Sequence, residues 1–87
     1  MEYDWNRAKA IKNLKKHGVS FEEATSMFGD PLAYTYPDPD HSEGEQRLLT
    51  FGLSTSGRIL LVSHTEHERG IHIISAPHHQ RQRGDGR

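Results

Sequence analysis

The chain has 87 residues, a mass of 9.9 kDa and a formal net charge of -1. One small domain is the limit, and a uniformly basic nucleic-acid coat is excluded. There is no cysteine, which removes disulfides and thiolate-held zinc. Ile, Val, Leu and Phe make up only about a fifth of the residues, so the core must be thin. The longest apolar run, Ile59-Leu60-Leu61-Val62, is far short of a membrane span, and no secretory leader is visible at the N-terminus. A soluble, cytoplasmic domain is expected. Charge is segregated: residues 1–20 sum to +3, 21–46 to -7, 47–76 to +1 and 77–87 to +2.

Asp4 predicts a helix cap, and Trp5, Ala8, Ile11 and Leu14 recur at i, i+3 as an apolar stripe. The first helix is expected over 5–17, with Lys15, Lys16 and His17 favoured by the dipole at its end and Gly18 as its left-handed stop. Ser20-Phe21-Glu22-Glu23 reads as a capping box for a second helix over 21–28, which Gly29 and Asp30-Pro31 end. Strands are then expected at 32–36, 46–54, 58–65 and 71–76, with a polar loop over 37–45. The sequence thus predicts an α+β fold, two N-terminal helices followed by a four-stranded antiparallel sheet. The later strands are apolar on both faces. The helices can cover one; the other requires a partner or self-association.

The run Trp5-(x)3-Lys9-(x)3-Asn13-(x)2-Lys16-His17-Gly18-Val19-Ser20-Phe21-Glu22-Glu23-Ala24-(x)3-Phe28-(x)-Asp30-Pro31 resembles the opening of BrnT-type toxins. Gly57-Arg58 and Ile73-Ile74-Ser75-Ala76 resemble that family's later segments, and the likeness covers about residues 3–76. It implies a RelE-like ribonuclease, the toxin of a type II toxin–antitoxin pair. The implied partner is a BrnA-like ribbon-helix-helix antitoxin, with which the toxin would repress its operon. RNA would be the substrate, and operator DNA would be met only through the antitoxin. In the family an Arg usually stands where this chain has His72 and another where it has Pro77, and a charged C-terminal helix follows. Here that helix is missing, and residues 77–87 read as a polar, disordered tail. These departures weaken the expectation of catalysis. They keep open an alternative: a catalytically impaired interaction module that binds an antitoxin or itself.

Metal-free RNA cleavage needs a base for the 2′-OH, cations for the phosphorane and an acid for the leaving oxygen. No cofactor is expected. A simple strand register sets Leu53 against Arg58, Arg47 against His64 and His64 against His72, which would form one basic row. Arg47, His64, Glu66 and His72 are the catalytic candidates. Histidine serves as acid or base, and Glu66 orients a histidine or is a turn residue. Lys16, His17, Arg58 and Arg69 are the RNA-contact candidates, with Lys9 and Lys12 able to extend the track. Dipole capping alone also explains Lys16 and His17. A metal reading of His64 with His67, or of His78-His79, is disfavoured because the first pair would not share a strand face.

Overall fold

A computed structural model of the chain describes residues 2–40 and 46–78. Much of the predicted 37–45 loop and most of the predicted tail, residues 79–87, lie outside the described residues. The elements are β1 (Glu2–Trp5), α1 (Arg7–His17), α2 (Phe21–Ser26) with a 3-10 turn Met27–Gly29, β2 (Tyr34–Pro37), β3 (Leu48–Leu53), β4 (Ile59–His67) and β5 (Gly70–Ser75). The sheet has five strands in the order β1-β5-β4-β3-β2. This corrects the four-stranded antiparallel expectation. The last four strands are an antiparallel meander, but β1 joins β5 in parallel, with Glu2 opposite Gly70 and Trp5 opposite Ile73.

The missed strand explains the misplaced helix start. Glu2-Tyr3-Asp4-Trp5 alternates polar and apolar, the period of a strand. Tyr3 lies 5.6 Å from the Phe28 ring, and Trp5 meets Phe21 edge-on at 5.8 Å. The cap is therefore Asn6, whose side chain accepts from the Lys9 amide at 3.0 Å, and not Asp4. β1 needs room: a Cβ at residue 70 would sit 1.8 Å from the Glu2 carbonyl oxygen, so glycine alone allows the approach.

Other local expectations hold. Gly18 closes α1 at φ 70, its amide donating to the Leu14 carbonyl at 2.9 Å. The Ser20 hydroxyl accepts from the Glu23 amide at 3.0 Å. The Glu23 carboxylate, however, does not reach back to its own helix. It takes two hydrogen bonds from the Arg58 guanidinium and one from the Ser54 hydroxyl at 2.7 Å.

The core lies between the helices and one sheet face. Val19, Phe21, Ala24 and Met27 pack on Leu60, Val62, Ile71, Ile73 and Ala76. α1 does not use the predicted stripe. Ile11 and Leu14 are half exposed, and the inward position is Asn13. Its buried amide donates to the carbonyls of Val19 at 3.0 Å and Ala76 at 2.9 Å, and its oxygen accepts from the Ala76 amide at 3.1 Å. Asn13→Ala should lower stability by about 2–3 kcal/mol in urea unfolding, because it strands polar groups inside the protein. A loss under about 0.5 kcal/mol would show the amide to be dispensable.

The Arg58 guanidinium holds the Glu23 carboxyl down at about 2, against an ordinary value of 4.5. Arg58 also donates to the Gly18 carbonyl at 2.8 Å, so the ion pair clasps the helix corner to the β3–β4 turn. A carboxyl lowered by folding stabilises above pH 4.5 and loses that contribution as pH falls toward 2. Arg58→Met should flatten the dependence of the urea midpoint on pH across this window.

Candidate active site

The basic row expected from the sequence does not form. The β3–β4 hairpin sets Leu53 against Ile59 and Leu48 against His64, one position from the expected pairing with Arg47. The β4–β5 turn holds two residues, Glu68 and Arg69, so His72 lies opposite Thr65 and His64 opposite Ile73. Each slip of one residue sends the side chain to the other face. His64 and His72 consequently lie on opposite sides of the sheet.

His64 is fully buried on the helix side, with the Phe28 ring edge-on at 5.1 Å. Its Nε2 is 2.7 Å from the Thr50 hydroxyl, which is 2.6 Å from the Thr35 hydroxyl. If each threonine donates inward, Nε2 accepts and Nδ1 carries the proton. That Nδ1 has no hydrogen-bond partner, although the Glu66 carboxylate lies 3.9 Å away. Burial pushes the His64 pKa below the ordinary 6.5, and the Glu66 charge offsets this in part. Glu66 itself is half exposed at its side chain.

His72 lies on the outer face and is partly open to solvent. Its Nδ1 donates to the Asp4 carboxylate at 2.6 Å. The parallel pairing of β1 with β5 makes this contact, since Asp4 and His72 are direct register partners. Asp4 was not among the residues the sequence singled out for chemistry. The polar–apolar alternation at residues 2–5 was the available signal. Asp4 also borders a cavity of about 600 Å³ lined by Glu2, His67, Glu68, Arg69 and Ile71, so Arg69 and Asp4 share that cavity.

The remaining candidates separate. Arg47 precedes β3 and is half-buried, its carbonyl accepting from the Asp38 amide at 2.9 Å. Arg58 is engaged with Glu23 as described. Lys16 and His17 border a cleft between α1 and β5 together with Lys9, Lys12, Ile74 and Ser75. Among the described residues no three His, Asp or Glu side chains gather as a metal site, and no helix is long and apolar enough to cross a membrane.

Stability should fall with pH below about 6.5 through His64. Its proton affinity is lower folded than unfolded, so its contribution is present above the unfolded value and lost as pH falls through the folded one. Urea midpoints at pH 7.5 and 5.5 should differ for the natural chain and converge for His64→Leu. An unchanged difference would assign it to other groups.

A family model described as the ribonuclease toxin BrnT of a type II toxin–antitoxin system matches residues 5–82. No curated protein matches the chain. Among solved structures, the 1.1 Å crystal structure of the Brucella abortus ribonuclease toxin BrnT superposes with a TM-score of 0.72. The two are 20% identical, and the match covers 93% of this chain and 99% of that one. Two helices on a mixed five-stranded sheet are thus an architecture that this chain shares with a solved toxin of the same name as the family. The match over residues 5–82 spans both helices, the last residue of β1 and the whole meander, and on it the chain belongs to the BrnT family of ribonuclease toxins of type II toxin–antitoxin systems.

Proposed function

We propose that the chain is an endoribonuclease toxin of the cytoplasm, cleaving RNA without a metal and inhibiting translation. A ribbon-helix-helix antitoxin neutralises it, and the two together repress their operon. Family membership supports the toxin role. The Asp4–His72 pair is the observation that carries the chemistry. A carboxylate that holds Nδ1–H fixes the ring and leaves Nε2 as the proton-exchanging atom. His72 in this reading takes the 2′-OH proton or returns one to the leaving 5′-oxygen, and Asp4 positions it. Arg69, beside the same cavity, supplies charge to the phosphorane.

The buried His64 fits a scaffold role better than a contact with RNA, and Arg58 is likewise committed to Glu23. Glu66 then biases the His64 ring, and Arg47 takes no part in the proton transfers of this reading.

One observation favours the competing reading of a non-cleaving interaction module. The outer sheet face carries Leu49, Phe51, Leu53, Ile59 and Leu61, none of them fully buried. Such a face suits self-association or an antitoxin.

Purified protein should cleave a single-stranded RNA equally with and without EDTA. His72→Ala should slow cleavage about 10²–10⁴-fold, and Asp4→Asn should act in the same direction. His64→Ala should act through stability, visible as a lower melting temperature. RNA left intact by the folded natural chain would leave the interaction module standing.

A further inference from the structure

The cleft between α1 and β5 is a second feature of the cationic surface, and the chemistry assigned to His72 does not use it. β1 pairs with β5 only as far as Ile73, so Ile74 and Ser75 continue past the end of β1 beside α1. Lys9, Lys12, Asn13, Lys16 and His17 close the other side, around a volume of about 200 Å³. The lysines recur at i, i+3 and i+7, one face of a helix. Among the described residues the lining holds no carboxylate, and none of the three lysines has an ion-pair partner. Stability does not require three like charges converging on one cleft; mutual repulsion opposes it. A polyanion relieves that repulsion.

Dimensions select the kind of polyanion. Lys9 to Lys16 spans about 10 Å at ~1.5 Å per residue, the length of roughly three stacked nucleotides at ~3.4 Å each. Ile74 is two residues along β5 from His72, about 7 Å at strand rise. Along the strand the cleft thus begins about two stacked nucleotides from the proposed acid–base group, at the same ~3.4 Å spacing. Its chemistry is a row of ammonium charges with the His17 imidazole and a Ser75 hydroxyl and no Phe, Tyr or Trp, which suits backbone phosphates more than base selection.

We propose that this cleft is the exit track for single-stranded RNA, gripping two or three phosphates on one side of the bond cut at His72. This rests on the ribonuclease reading for its location relative to the cut, but the grip itself is measurable as binding. Lys9, Lys12 and Lys16 set affinity and contribute nothing to the proton transfers.

The test uses the full chain and a fluorescein-labelled 12-nucleotide RNA with 2′-O-methyl substitution throughout, which blocks the attacking hydroxyl. Anisotropy titrations across salt should give a log–log slope of about -2 for three neutralised phosphates. In a Lys9→Gln/Lys12→Gln/Lys16→Gln variant that keeps its circular dichroism and melting temperature, the slope should approach zero and affinity should fall at least tenfold. With cleavable RNA the triple variant should raise KM tenfold or more and leave kcat within about twofold, while His72→Ala lowers kcat. Single replacements serve if the triple variant does not fold. Unchanged binding or KM in a folded variant overturns the track, whether or not the natural chain cleaves. Cleavage failing while lysine-dependent binding persists would instead overturn the ribonuclease reading alone. Tight binding of poly-glutamate of equal charge without RNA binding would assign the cleft to an acidic protein segment and overturn the proposal.

Discussion

The fold depends on one buried carboxamide. Asn13 bonds to the carbonyl of Val19 in the link between the helices and to both backbone groups of Ala76 just past β5. It is the only buried residue of α1, so the helix is held to the sheet mainly by hydrogen bonds and little by apolar area. Such a joint has stricter geometry than a hydrophobic contact, since a displaced amide leaves three partners unsatisfied. It fixes the height and rotation of α1 over the end of β5. That rotation turns Ile11 and Leu14 outward and leaves the three lysines along the strand end.

The ionisable groups divide into those the scaffold consumes and those it leaves facing solvent. Arg58 and Glu23 neutralise one another at the helix corner, with Ser54 as a third member. His64 is absorbed by a run of hydroxyls through Thr50 to Thr35 under the Phe28 ring. Among those left outside are the Asp4–His72 pair on one strand boundary and the lysines on the neighbouring helix. A sequence with few large apolar residues has used polar contacts to hold its layers together, which accounts for the internal positions of residues that look chemical on paper.

Local chemistry in the chain was legible where a residue's role depends on its immediate neighbours. Gly18 as a left-handed stop and Ser20 as a cap were readable for that reason, as were the four meander strands. What failed depended on contacts distant in sequence. β1 is only four residues long, and its parallel partner lies 68 positions away, so its short polar–apolar alternation is a weak signal beside the helical pattern that follows. The apolar stripe on α1 was real as a pattern, yet Asn13 overrode it with partners at Val19 and Ala76. The site suffered most because it was built on register. Turn lengths of one residue more or less are weakly encoded, and each slip exchanges the two faces of a strand. The Asp4–His72 contact was out of reach once Asp4 had been taken for a helix cap.

The parallel edge strand also orders events in time. Residues 2–5 precede their hydrogen-bonding partners, residues 70–73, by 68 positions, so β1 cannot pair until β5 has been made. This long loop closure is slow by its topology. Because Asp4 travels with that strand, the proposed proton-transfer pair forms only after β5 has been made and β1 has closed onto it.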